Sequence, residues 1–210
     1  AEFAKRLGED GKAWKRLAER VEGSFSRFWN PQAGCCFDLL DGPDGDDPSI
    51  RPNQLIAASL HWCPLPREQR EQVVAVAMER LWTSLGVRTL DPADPNYEGL
   101  YRGNQRLRDA AYHQGTSWPW LMGPLLAAHF ALHRDREFVL AALRPFLDHL
   151  KDAGLGSISE VVDGDAPHEP GGCIAQAWSV ATTLELWQTM QGASGKAKRG
   201  RPPRTAASSR

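Results

Sequence analysis

Helical periodicity dominates the hydrophobic pattern. Trp14, Leu17, Ala18, Val21, Phe25, Phe28 and Trp29 fall at helical spacing, with Lys12, Lys15, Arg16, Glu19, Arg20 and Glu22 between them. Asn30-Pro31 stops that helix, because the residue before a proline is pushed out of the α region. Cys35 to Leu40 is an apolar run short enough for a small strand, and Gly42 to Pro48 is an acidic, turn-rich loop. A second helix starts at Arg51-Pro52-Asn53-Gln54. Leu55, Ile56, Ala58, Leu60 and Trp62 make it apolar nearly all round, which predicts deep burial. Pro64 ends it. Pro66 opens the next helix, which runs to about Trp82 with Val73, Val74, Ala77, Leu81 and Trp82 on its inner face.

Gly86 to Asp109 is long and irregular, and a loop of that length in a compact domain is usually functional. Trp118 to His133 is again apolar all round. Arg136 to Asp152 is amphipathic, with Pro145 inside it predicted to kink it. Gly154 to Gly172 is a loop, and Ile174 to Gln191 is the last helix. Buried and amphipathic helices alternate, which predicts about six helices in two concentric layers. After Gln191 the composition collapses to Gly, Ala, Ser, Pro, Lys and Arg, which cannot form a core. The expected organisation is therefore a domain at 1–191 and a disordered basic tail at 192–210.

Composition narrows the function. The 210 residues suffice for one domain with a core. No apolar run reaches membrane-spanning length and no signal segment leads the chain, so a cytoplasmic protein is expected. The start at Ala1, directly in a helical pattern, suggests a processed or incomplete product. Cys35, Cys36, Cys63 and Cys173 lack metal spacing and read as small buried or half-buried thiols. The formal charge of −1 hides a split: Lys196, Lys198, Arg199, Arg201, Arg204 and Arg210 crowd the tail. The remaining 19 basic and 26 acidic residues give a body of −7. An acidic body suits a neutral ligand better than nucleic acid.

Two stretches carry the candidate chemistry. Tyr112 to Trp120 reads Tyr-His-Gln-Gly-Thr-Ser-Trp-Pro-Trp. Ile158 to Trp178 opens on Ile-Ser-Glu and closes on Cys-Ile-Ala-Gln-Ala-Trp. Each is a polar, aromatic-rich loop running into an apolar helix. Flat rings cover the apolar faces of a sugar, and amides and carboxylates meet its hydroxyls.

These stretches, with Ile50-Arg51-Pro52-Asn53-Gln54, Gly86-Val87-Arg88-Thr89-Leu90, Asp94-Pro95-Asn96-Tyr97, Arg108 to Thr116 and Gly156 to Gly164, resemble the C-terminal part of bacterial glycogen-debranching enzymes of the amylo-α-1,6-glucosidase family. The matches cover most of 13–191. The resemblance implies an all-α fold, roughly the second half of an (α/α)6 barrel of the six-hairpin glycosidase type, with short β segments in its loops. It also implies inverting hydrolysis of α-1,6-linked glucose at the branch points of glycogen or limit dextrin. Inversion needs two carboxyls about 6.5–9.5 Å apart, one protonating the leaving oxygen and one activating water. Glu160 matches the family's base. The family's acid lies in a Thr-Trp-Met-Asp segment that this sequence lacks, so a fragment inactive alone is expected, with apolar surface around Leu55, Ile56 and Leu125 left without partners. Two carboxyls suffice for the chemistry, so no cofactor and no metal are implied.

The other candidate substrate residues are Arg51, Asn53, Gln54, Tyr97, His113, Gln114, Gly115, Thr116, Trp118, Asp163, Gln176 and Trp178. Most carry a structural alternative. Arg51 either pairs a carboxylate or, with Asn53 and Gln54, caps a helix. Gly115 allows a close approach of backbone to ligand. Thr116 is a ligand contact or a helix cap, or both. Trp118 is favoured as facing the pocket and Trp120 as packing, while Trp178 stands between pocket and core. Asp163 rivals Glu160 or braces its loop, and Asp165 and Glu169 read as solvated loop acids. Gln176 bonds a hydroxyl or is a buried amide. Arg88, Asp94 and Tyr97 could line the pocket, and Arg108-Asp109 is read as an ion pair within its loop. Two rival functions remain open. One is a non-catalytic α-glucan-binding module. The other is DNA association through Lys198-Arg199-Gly200-Arg201-Pro202-Pro203-Arg204, which resembles an AT-hook laid in a narrow minor groove.

Overall fold

A computed structural model describes residues 1–197. The chain runs α1 (Glu2–Arg6), α2 (Lys12–Phe25), β1 (Trp29–Asn30), β2 (Cys35–Cys36), β3 (Leu39–Gly42), β4 (Gly45–Asp47), α3 (Asn53–Ser59), α4 (Arg67–Arg80), β5 (Trp82–Thr83) and β6 (Gly86–Arg88). It continues through α5 (Gln105–Ala111), β7 (Ser117–Trp118), a 3-10 turn (Pro119–Leu121), α6 (Met122–His133), α7 (Arg136–Ala142), α8 (Arg144–His149), β8 (Val161–Val162), β9 (Pro170–Gly171) and α9 (Ala177–Ala197). The basic motif at 198–204 lies outside the described residues.

The core forms where apolar helices meet. In α6, Met122, Leu125, Leu126 and Ala128 are buried. They pack with Leu55 and Ala58 of α3, Val73, Val74 and Ala77 of α4, and Leu186 and Met190 of α9. Helix α6 lies between α3 and α9, with α4 and α7 against the same group. Side-chain caps set two helix starts: Asn104 Oδ1 accepts from Leu107 N–H at 3.1 Å, and Asp135 Oδ1 from Phe138 N–H at 2.9 Å.

The structure redraws several expected elements. The single helix at 136–152 is two, and Pro145 sits in the first turn of α8, where its missing amide proton costs nothing. With α1 and α5 added, nine α-helices stand among the described residues where about six helices were expected. The helix after Arg51 is shorter than expected and only half buried. Leu55 and Ala58 are enclosed, but Ile56 is 40% exposed, and Leu60 and Trp62 lie past its end in solvent. Leu55 and Leu125 are fully buried in the core shared by α3, α4 and α6, so the open apolar surface falls on Ile56 rather than on all of them. Trp14, Leu17 and Val21 of α2 are exposed instead of facing a core.

Short β segments were expected in the loops, with no pairing between them specified. Five of them join into one antiparallel sheet in the order β5-β6-β7-β8-β9. Val87 pairs with Trp118, Ser117 with both Arg88 and Val162, and Val161 with Gly171. Val87, Val161 and Val162 are fully buried, which suits β-branched residues in a short ladder. Gly86 is required by this pairing, since a Cβ there would lie 2.7 Å from the Trp118 carbonyl. Among the described residues, no helix is long and apolar enough to cross a membrane.

Beneath the sheet, buried His149 accepts the Ser159 N–H on Nε2 at 3.1 Å, which needs a neutral imidazole. Burial holds His149 below its ordinary value, and the nearby Asp152 charge only partly opposes that. His129 shifts the same way, again chiefly through burial. The unfolded chain binds these protons from about pH 6.5 downward while the folded chain resists them, so stability falls as pH drops below that value. His149→Gln keeps an acceptor but cannot titrate. In thermal melts it should lose less Tm than the parent between about pH 7.5 and about pH 5. A second test concerns the loops above. A methyl on Gly164 would strike the Gly115 carbonyl oxygen and lie 2.6 Å from the Tyr97 hydroxyl. Gly164→Ala should cost about 3 kcal/mol in denaturant unfolding, whereas Gly192→Ala, inside α9 with open space around it, should stabilise by about 0.5–1 kcal/mol.

Candidate functional site

Three loops converge at one end of the sheet: 88–102, 112–118 and 158–173. Backbone bonds clasp them together. Gly164 N–H donates to the Gly99 carbonyl at 2.6 Å, Thr89 N–H to Thr116 at 3.1 Å, and Glu98 N–H to Gln114. Side chains add to the clasp. Arg88 Nε donates to the Gly164 carbonyl at 2.8 Å, and the Thr89 hydroxyl accepts from Gly115 N–H at 2.9 Å. The approach is so close that a Cβ at Gly99 would collide with Asp165, and one at Gly115 would lie 2.6 Å from the Glu98 carbonyl. Gly115 also has φ +147, a conformation that a side chain would strain.

Glu160 stands at the partly exposed rim of this junction. Its N–H donates to the Cys173 carbonyl at 2.8 Å, and Cys173 N–H donates back to Glu160 Oε2 at 2.8 Å. Oε1 accepts from the Tyr112 hydroxyl. The Tyr112 ring lies 4.8 Å from Trp118, 4.8 Å from His113 and 5.6 Å from Tyr101. His113 in turn stacks on Trp118 at 5.4 Å with the rings 9° apart. Burial, then the hydrogen bond to and charge of Glu160, push the Tyr112 phenol well above its ordinary value, so it stays a donor. Burial and then the Arg51 charge push the His113 imidazole down, so it stays neutral near pH 7. A carboxylate braced by two donors beside a partly open aromatic cluster can accept a proton while neighbouring rings hold an apolar ligand face.

The structure places the candidate residues unequally. His113 is exposed over Trp118, which is itself 8% exposed and gives its indole N–H to the Tyr112 carbonyl at 3.0 Å. Trp118 therefore backs the cluster and does not face open space as favoured above. Trp120, half buried, meets the exposed Trp178 edge-on at 5.4 Å, on the first turn of α9. Gln176 uses its backbone to accept from Val180 and to donate to Ile158.

Other candidates are consumed by the fold. Arg51 donates to the carbonyls of Thr89 at 3.1 Å and His113 at 2.7 Å, to Gln114 Oε1 at 2.6 Å, and lies 3.7 Å from Asp38. Asn53 donates to Asp38 at 2.7 Å. Gln54 is buried between Cys36 N–H and the Arg51 carbonyl. Thr116 is fully buried and bonds back to Ala111, at the end of α5, instead of capping the following helix. Asp163 is buried, ion-paired with Arg102 at 2.6 Å and bonded to Tyr101 N–H at 2.7 Å, so it braces its loop. Tyr97 donates to Asp165 at 2.9 Å and is pushed up to about 12 by burial and then by Asp165. Asp165 is an exposed loop acid, as read from sequence, and also accepts this bond from Tyr97. Arg108 turns to the Gly103 carbonyl rather than to Asp109.

Sequence reasoning passed over Tyr112, Tyr101, Arg102 and Asp38. Tyr112 had a signal, since it opens the polar aromatic stretch and adjoins His113. Asp38 had none, because its partners come from a distant helix. No cluster of three or more His, Cys, Asp or Glu side chains among the described residues is placed to hold a metal ion.

Comparison with known proteins adds an independent line. The amylo-alpha-1,6-glucosidase family model matches residues 1–185. The glycogen debranching enzyme of Saccharomyces cerevisiae is 29% identical over 172 residues, covering 70% of this chain and 11% of that protein. Among solved structures, an uncharacterized conserved protein from Thermus thermophilus superposes with a TM-score of 0.61 at 19% identity, covering 89% of this chain and 42% of the other. Neutral trehalase Nth1 of Saccharomyces cerevisiae superposes with a TM-score of 0.54 at 15% identity, covering 87% and 32%. At these identities the structural likeness speaks for the helix-rich fold alone, and the chain spans less than half of each of these proteins. The match over 1–185 reaches through the helices, the sheet and all three loops, and on it the chain belongs to the amylo-alpha-1,6-glucosidase family.

Proposed function

We propose that this chain supplies one half of a debranching glycosidase site, which hydrolyses α-1,6-linked glucose in a branched α-glucan with inversion. The observation that carries the reading is the Glu160 carboxylate, braced by Tyr112 and Cys173 at the open edge of the aromatic cluster. Glu160 takes a proton from water as the water oxygen bonds to the anomeric carbon. The bond from that carbon to the branch oxygen breaks, and an acid from outside this sequence protonates the departing oxygen. His113 and Tyr101 offer partly exposed rings to the sugar, and Gln176 is tied through its N–H to the Ile158 carbonyl at the start of the Glu160 loop.

The fold is read as about half of an (α/α)6 barrel, with α3, α6 and α9 in the inner layer and α4 and α7 in the outer. Supporting this, a groove of about 420 Å³ opens between α3, α6 and α9, lined by Ile56, Pro124, Ala127, Phe130, Leu186 and Met190. The remaining barrel helices would cover it. The isolated chain would then lack both its acid and the second wall of its pocket.

Three outcomes test this. The isolated chain should release no glucose from glycogen limit dextrin. A chimera carrying residues 1–185 in place of the matching segment of a full-length family member should release it, with β-glucose as the first product by proton NMR. In that chimera Glu160→Gln should lower kcat about 10³-fold while dextrin retention on affinity gels persists. Full activity of the Gln variant would show that another group is the base.

A further inference from the structure

We infer that Tyr112 is the positioning residue for the Glu160 base, a role that rests on the reading of Glu160 given above. Tyr112 is fixed at both ends. Its carbonyl accepts the Trp118 indole N–H at 3.0 Å, and its ring is packed between Tyr101 and the Trp118–His113 stack. The hydroxyl at the tip of this rigid arm donates to Glu160 Oε1. The opposite oxygen is held by Cys173 N–H at 2.8 Å. Gly172 lets the carboxylate lie there, since a Cβ at that position would be 2.5 Å from Oε2.

Two donors from opposite sides set the plane of the carboxylate. Each oxygen keeps a second lone pair, and the one on Oε1 can accept from water. Cys173 and Glu160 belong to the same loop, joined by one backbone bond from Glu160 N–H to the Cys173 carbonyl and by the Cys173 N–H on the carboxylate, so both of these ties move with that loop. The Tyr112 bond ties it to the aromatic cluster across 48 residues of chain. Without the hydroxyl, Glu160 keeps its charge and its loop but loses its fixed relation to the rings that would hold the sugar.

Tyr112→Phe tests this in the full-length chimera, because it keeps the ring and removes only the donor. The expected result is a kcat lower by roughly 10- to 100-fold, as follows from misplacing a reacting group by about 1 Å, with KM for limit dextrin changed less than about twofold. The decisive control is azide rescue of Glu160→Ala. Azide replaces the base-activated water, forming a bond to the anomeric carbon as the bond to the branch oxygen breaks, and yields a glucosyl azide. In that background there is no carboxylate to position, so adding Tyr112→Phe should leave the rescued rate unchanged. An equal fall of the rescued rate would make Tyr112 a general structural support and overturn the inference. A wild-type kcat for Tyr112→Phe, alongside normal rescue of Glu160→Ala, would also overturn it while leaving the base assignment standing. Failure of azide to rescue Glu160→Ala, with Glu160→Gln still active, would instead remove the base assignment on which the inference rests.

Discussion

Ser117 pairs with Arg88 on one side and with Val162 on the other, and this double pairing holds the candidate site together. It brings residues from three distant loops into one ladder only a few residues long. Short strands contribute few hydrogen bonds, so the surrounding contacts must be close. They are: Gly86, Gly99, Gly115 and Gly164 each lie where a side chain would collide with a neighbouring segment. Backbone approaches backbone, and the three loops behave as one unit above the helices.

That closeness explains why so many candidate ligands turn out to be occupied. A polar group brought into a tight junction must find a partner there, because an unmet buried donor or acceptor costs about 1–3 kcal/mol. Arg51, Gln54, Thr116 and Asp163 meet that requirement through backbone groups. What remains open to a ligand is narrower: the rim of Glu160, the outer face of His113, part of Tyr101, and the Trp178 edge. Glu160 differs from Asp163 in this respect. Both accept two kinds of donor, but Asp163 is sealed from solvent while Glu160 keeps access to it.

The helices are less complete than the loops they carry. Helix α6 buries Met122, Leu125, Leu126 and Ala128, yet its neighbours α3 and α9 leave Ile56, Leu184 and Trp187 in solvent. Apolar area in contact with water forgoes about 25 cal/mol per Å² relative to burial. The chain spans only 11% of the yeast glycogen debranching enzyme it resembles, and under the proposal made here the missing cover comes from beyond this chain.

The sequence by itself settled what depends on neighbours along the chain. Apolar spacing located α4, α6 and the amphipathic stretch that became α7 and α8, and the motifs around His113 and Glu160 marked the family later matched over 1–185. Proline and glycine positions marked most of the breaks between elements. Tertiary structure decided the rest, because its causes are far apart in sequence. Two-residue strands have no periodicity to read, and only pairing across dozens of residues makes β7 and β8 a sheet. Arg88 reaches Gly164 across 76 residues and Tyr112 reaches Glu160 across 48, so no local pattern announces either contact. Whether a polar side chain braces a loop or is left free for a ligand is settled only when those distant partners meet.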